Sequence, residues 1–286
     1  MSAEARRRDG GRGLRGLAHA VILSDGWTRR LIAVGAGAVG AMAMAPLNLS
    51  PAMAVSLSLA VWLIDGAGVA REDGRGALAA SLRRAFADGW LWGLGYFIAG
   101  LWWIGEAFLV EPDKFAWALP LGVFGLPAGL ALFPALGFAL ARLMWSSRGV
   151  RVLGLAAGLT AAEWLRGHVL TGFPWNAPGM AFGGQLVLAQ GASVIGLWGL
   201  TLLTIAICAA PATLADPGRR KLAGAPIAFA LAAFAGLLGY GASRLSAEPP
   251  KPVAGVRLRI MQPDLPPDAK FRPQNRDAIL QRYLDL

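Results

Sequence analysis

The sequence is poor in the residues that build cross-links and metal sites. A single cysteine, Cys208, excludes an intrachain disulfide and a cysteine metal cluster. The two histidines, His19 and His168, stand far apart and form no metal-ligand spacing. No cofactor is therefore expected. Charge is scarce as well: 15% of the 286 residues are Asp, Glu, Lys or Arg, against about 25% in a soluble domain. The first 30 residues hold seven arginines and no long apolar core. A cleaved leader is not expected, and the first apolar run reads as an uncleaved signal anchor.

What fills the chain is apolar. Hydrophobic residues make up 56%, and the mean hydropathy is +0.51. They gather into runs long enough to cross a hydrocarbon core of about 30 Å, which takes about 20 helical residues. Seven spans are expected, at 31–49, 52–70, 86–110, 115–142, 150–169, 187–213 and 222–243. Lipid offers no hydrogen bonds, so these runs must be helices. The class that follows is an all-α polytopic membrane bundle of about seven transmembrane helices.

A net charge of +10 raises the question of nucleic acid. Most of the basic residues instead sit in short segments between apolar runs, where they orient a membrane protein. With the N-terminus in the cytoplasm, segments 1–30, 71–85, 142–151 and 214–221 face inward and hold 17 of the 27 Lys and Arg. The short outer segments hold Lys114, with Arg166 at the outer end of the fifth span. An odd number of spans then places the C-terminal segment outside. The organisation is a basic cytoplasmic segment over 1–30, a helical membrane domain over 31–243, a proline-bearing linker over 244–255 and the start of a further domain over 256–286.

Within the spans, Trp90, Trp92, Trp102 and Trp103 pair at the two ends of the third run, as an interfacial belt would. Pro120, Pro127 and Pro134 recur every seven residues and predict a helix bent in one direction. In the tail, Val256, Leu258 and Ile260 alternate with Arg257 and Arg259, which predicts a half-buried strand. Ile279, Leu280, Tyr283 and Leu284 share a helical stripe. One strand and one helix cannot bury a core, so the sequence reads as stopping soon after a soluble domain begins.

Residues that could carry chemistry are few. Thr171 to Met180, with Gly172, Phe173, Pro174 and Trp175 at its centre, is either a plain interfacial turn or a re-entrant loop at a lipid-facing site. From physics alone the turn is the simpler reading. Glu163 and Arg166 lie three apart near the end of the fifth span. Intramembrane charges mark functional sites by default, yet neighbours at this spacing also neutralise each other; the pair reads as structural. Asp65 and Asp88 fall near the inner boundary and read as solvated or snorkelling. Cys208, in an apolar helix with no base nearby in sequence, reads as a structural thiol.

Several stretches together resemble the apolipoprotein N-acyltransferase family, which completes bacterial lipoprotein maturation. They are Ala45-Pro46-Leu47, the run from Gly93-Leu94-Gly95-Tyr96 to Trp103, Glu163-Trp164-Leu165-Arg166-Gly167, Gly172-Phe173-Pro174-Trp175, and Gln262-Pro263-Asp264 with Lys270-Phe271. The resemblance implies an inner-membrane bundle of eight helices carrying a periplasmic nitrilase-like α/β domain. It implies transfer of an acyl chain from a phospholipid donor to the amino terminus of a diacylglyceryl-cysteine apolipoprotein. In that chemistry a Glu–Lys–Cys triad forms a thioester on its cysteine, and no catalytic residue or metal is assigned in this chain. By resemblance the triad lies beyond Leu286, so the chain reads as a fragment without activity of its own. Gly172 and Trp175 then belong to a loop near the membrane side of the site. Gln262, Lys270 and Phe271 match the first strand and loop of the catalytic domain, where the family usually has Trp at the position of Phe271. Two rivals stand beside this reading: a related membrane anchor for a lipid-linked glycosyltransferase, and a small-molecule transporter. The transporter predicts paired polar residues at mid-membrane and helices broken in matching halves, and the sequence suggests neither.

Compartment-sensitive reporters at the two termini test the orientation. The N-terminal fusion is expected to be active only in the cytosol and the C-terminal fusion only in the periplasm; signals from the same side would sink this topology.

Overall fold

Backbone that cannot reach water must bond to itself, and this chain does so almost entirely as helix. A computed structural model describes residues 3–68, 76–146, 149–216, 220–246, 253–265 and 273–286. The long helices are α1 (Ala3–Ile22), α2 (Gly26–Ala41), α3 (Ser50–Ala67) and α4 (Ala77–Leu101). A 3-10 segment, Trp102–Leu109, leads through α5 (Pro112–Phe115) and a π turn at Leu121–Gly125 into α6 (Leu126–Leu130) and α7 (Leu132–Leu143). Then come α8 (Arg151–His168), a 3-10 turn at Pro178–Phe182, α9 (Leu186–Ala189) and α10 (Ala192–Ala209). The 3-10 turn Ala210–Ala215, α11 (Arg220–Leu245) and α12 (Arg276–Leu284) complete the order.

Among the described residues, four stretches are long and apolar enough to cross a membrane: Ser50–Ala67, Pro112–Leu143, Ala192–Ala215 and Gly224–Leu245. The expected count of seven is not reached on that measure. α2 is only 16 residues long. α4 and α8 meet the length but carry Arg83, Arg84 and Asp88, or Arg151, Glu163 and Arg166, within the helix.

Glycine lets the bundle close. A Cβ on Gly37 of α2 would strike the Trp92 carbonyl oxygen on α4, and one on Gly95 of α4 would strike the Val34 carbonyl oxygen on α2. Between α7 and α8, a Cβ on Gly158 would lie 2.5 Å from the Gly137 carbonyl oxygen. Hydrophobicity does not drive helices together in lipid, so such backbone contact supplies the dispersion attraction that does.

Charges inside the bundle are paired. Arg29 of α2 donates from Nε and Nη2 to the Asp88 carboxylate of α4, at 3.0 and 2.5 Å, and from Nη2 to the Leu63 carbonyl of α3 at 2.5 Å. Both residues are buried. Arg151 bridges Asp216, at 2.6 and 2.8 Å, and Asp65, at 3.2 Å; Trp145 also donates to Asp65 at 2.8 Å. Asp65 and Asp88 are therefore not solvated carboxylates. Sequence spacing hides these pairs because their partners come from other helices.

Two aromatic and proline expectations also change. Trp92 is a core residue, donating to Ser56 Oγ at 3.0 Å and stacked on Tyr96 with ring centres 5.1 Å apart. Of the proposed belt, Trp102 and Trp103 alone are exposed. The three prolines do not yield one smooth curve, because residues 112–143 change between α, 3-10 and π geometry. Proline removes a donor and crowds the preceding turn, and each break is a local answer to that. α10 is broken as well, at Gly196, whose φ of 64° leaves the helical range.

The stretch Val256–Ile260 is not a strand; among the described residues no strand occurs. Leu258 and Ile260 are almost fully exposed, and a lone extended segment has no ladder to join. The helix expected from 274 onward is present as α12, without buried residues. Lys270 and Phe271 lie outside the described residues.

The Arg29–Asp88 pair makes a sharp test. Arg29→Met strands a buried carboxylate and is expected to cost about 3–5 kcal/mol. Adding Asp88→Leu is expected to recover most of the loss in thermal unfolding of the detergent-solubilised chain. A double variant no more stable than Arg29→Met would refute the pairing account.

Candidate functional site

The last turn of α8 places Glu163 and Arg166 on one face, pointing into the bundle. Both are buried, and Arg166 is 1% exposed. The guanidinium meets the carboxylate side-on: Nε donates to Oε1 at 3.1 Å and Nη2 donates to Oε2. Its carbon lies 5.0 Å from the centre of the Phe97 ring on α4. That leaves Nη1, which donates to two backbone carbonyls of the following loop, Phe173 O and, at 2.9 Å, Trp175 O. The Phe173 amide returns a bond to the Arg166 carbonyl at 2.9 Å. Arg166 thus fastens the loop to the helix from which it leaves.

Backbone conformation makes the loop possible. Gly172 has φ +74°, and a Cβ there would strike the Gly167 carbonyl oxygen; only glycine meets both demands. Asn176 takes φ 55°, a left-handed conformation asparagine tolerates better than most residues. Its carbonyl accepts from Tyr96 Oη at 2.8 Å and its side-chain amide donates to the Gly100 carbonyl at 3.1 Å. Tyr96 stacks on Trp92, which bonds Ser56. The loop is tied to α4 and, through that relay, to α3.

The second half of the loop enters the protein. Ala177, Ala181 and Phe182 are buried. The Gly179 amide donates to Thr201 Oγ1 of α10 at 3.2 Å, and Ser50 Oγ of α3 donates to the Ala181 carbonyl at 2.7 Å. A segment bonded to α3, α4, α8 and α10 is held within the bundle and does not merely rest on its surface. Trp175 remains half-exposed, stacked against Trp103 at 5.1 Å between ring centres and tilted against Phe173 at 5.2 Å. Leu170, at the loop's near end, is 97% exposed.

Of the residues expected from the sequence, Glu163, Arg166, Gly172 and Trp175 come together here. Gln262 does not: it is exposed in the 253–265 segment and makes no hydrogen bond to the loop among the described residues. Phe97 and Asn176 carry no signal of their own in the sequence, Tyr96 stands out only within the Gly93–Trp103 stretch, and Trp103 reads there as a belt residue and not as a partner of the loop. For Tyr96 the clue is local: a polar-tipped aromatic amid apolar residues needs a partner when buried. Cys208 is a buried free thiol on α10. Among the described residues no three His, Cys, Asp or Glu side chains gather as metal ligands. The geometry orders a loop.

A glycine-packed helical bundle, internally paired charges and a pinned aromatic loop define a polytopic membrane protein. Residues 36–210 match the family described as the apolipoprotein N-acyltransferase N-terminal domain, and the chain belongs to that family. It is 52% identical over 273 residues to an apolipoprotein N-acyltransferase of Rhodopseudomonas palustris, covering 94% of this chain and 49% of that protein. Proteins of the same name from Bradyrhizobium diazoefficiens and Rhizobium etli are 53% and 46% identical, each over 275 residues, covering 96% and 94% of this chain and 50% of each relative. The chain spans about half the length of the curated relatives it matches.

Arg166→Lys keeps the charge but loses the fork that serves carboxylate and loop together. Amide exchange across residues 169–182 is expected to quicken, reflecting a local loss of about 1.5–3 kcal/mol for hydrogen bonds to a charged group. Unchanged exchange there would show that the loop does not depend on Arg166.

Proposed function

We propose that this chain forms the membrane portion of an enzyme that N-acylates the diacylglyceryl-cysteine terminus of apolipoproteins, with a phospholipid as acyl donor. The reading is carried by the family match over the helical region, and the names of the relatives support it. The bundle sits in the bacterial inner membrane by this reading, as seven spans with the N-terminus in the cytoplasm and the 256–286 segment in the periplasm. That segment begins a nitrilase-like domain after the 244–255 linker.

In this proposal Glu163 and Arg166 are a structural pair. They hold Gly172 and Trp175 where the membrane surface meets the acyl-transfer site. Arg166 suits that task because its donors are committed to Glu163 and to backbone carbonyls. Trp175 and Trp103 offer a stacked aromatic surface suited to the water–lipid boundary. By resemblance, Gln262, Lys270 and Phe271 belong to that soluble domain. The thioester-forming triad is supplied by residues outside this sequence, and Cys208, buried in an apolar helix, is not its nucleophile.

The purified 286-residue chain, in vesicles with a diacylglyceryl lipopeptide, is expected to transfer no acyl chain above the protein-free rate. Turnover by this chain would show that the catalytic group lies within it and would overturn the division of labour proposed here.

A further inference from the structure

The chain opens with a long helix that is not one of the four apolar stretches. The inner stripe of α1 is Leu14, Ala18, Val21 and Ile22, at helical spacing, and these residues join the apolar core. They set α1 against α3 and the 3-10 turn Ala210–Ala215, where α3 and α10 finish. The approach is at backbone distance: a Cβ on Gly66, in the last turn of α3, would strike the Ile22 carbonyl oxygen. The turn into α2 is held by Arg84 of α4, which donates to the Ser24 carbonyl at 3.1 Å and pairs with Asp25 at 3.4 Å. α1 therefore sits at one end of the bundle.

The outward side of this helix and turn mixes cations with large apolar groups. Arg15, Leu17, His19 and Leu23 are exposed, and Trp27 is 74% exposed. The Arg30 guanidinium lies over the Trp27 ring, 4.8 Å from its centre. Deeper at the same end the carboxylates Asp88, Asp65 and Asp216 are taken by Arg29 and Arg151. Arg15, Arg30 and Arg83 are exposed and form no ion pair among the described residues. They present positive charge that no described carboxylate offsets. A nucleic acid would match these cations but leave Leu17 and Leu23 in water. An anionic leaflet takes both sets: tryptophan settles at the level of the headgroups, and arginine lays its stem on apolar surface while its head stays polar.

We infer that α1 and the turn after it form a docking surface for anionic phospholipid headgroups, with the helix lying in the plane of the membrane surface, as basic amphipathic helices do. Leu17, Leu23 and Trp27 enter the boundary between headgroups and acyl chains. Arg15 and Arg30 reach the phosphates, and Arg83 adds to the positive field. In the orientation proposed above, the leaflet is the cytoplasmic one. This docking rests on the membrane placement of the bundle and is independent of the acyl-transfer reading.

The test compares the 286-residue chain in bilayers of phosphatidylcholine alone and of phosphatidylcholine mixed with phosphatidylglycerol. Amide exchange over residues 13–31 is expected to slow several-fold in the anionic mixture, with exchange across α3 unchanged. Arg15→Gln combined with Arg30→Gln is expected to abolish most of that slowing. Salt at about 1 M, which screens charge beyond about 3 Å, is expected to do the same to the unmodified chain, a readout that does not depend on the variant folding. Equal exchange in the two bilayers, slowing that survives either the double variant or high salt, or slowing in pure phosphatidylcholine that rises with protein density, as docking of a second copy would give, would each overturn the assignment.

Discussion

A guanidinium buried at the end of a membrane helix must find a counter-charge and acceptors for its remaining donors. Arg166 finds both within a few residues. Glu163 takes Nε and Nη2 side-on, and the carbonyls of Phe173 and Trp175 take Nη1. Neither partner set would suffice alone. The carboxylate leaves one end of the fork unfilled, and the loop carbonyls bring no charge. Satisfying the cation therefore dictates where the loop goes, and the loop's course decides which helices it can touch.

From that fastening the remaining contacts of the region follow in order. With Trp175 fixed, Asn176 reaches Tyr96 and Gly100, and the chain can descend to Thr201 and Ser50. α4 receives these bonds because Gly37 and Gly95 let it approach α2 at backbone distance. The neighbourhood of α11 is built differently. α11 touches the bundle sparsely, and its apolar stripe borders an open groove. A polar fastening thus specifies the loop, while beside it α11 leaves room along an apolar wall.

How much of this the sequence disclosed depended on the range of the interaction. The Glu163–Arg166 pair was legible because both partners lie on one helix face, three residues apart. Gly172 and Trp175 stood out as turn and interface residues. The pairs Arg29–Asp88 and Arg151–Asp216 were not legible, since their members are 59 and 65 residues apart. Trp92 was placed at a membrane boundary because composition cannot say which side of a helix meets another helix. The 256–260 alternation suggested a strand, but alternation only proposes a face, and a ladder needs a partner. The fourth and sixth spans were read as continuous, whereas Pro120, Pro127 and Gly196 break them at points set by local backbone sterics.

The amino-acid sequence by itself determined that this is a helical membrane protein, because apolar runs surrounded by lipid have only one way to bond their own backbone. It also determined the acid–base pair on α8, through the fixed geometry of a helical turn. Tertiary structure alone decided which distant charges meet, that the segment after α8 dips inward, and that a groove remains beside α11. Those outcomes depend on how closely whole helices approach, which is set by side chains from several elements at once.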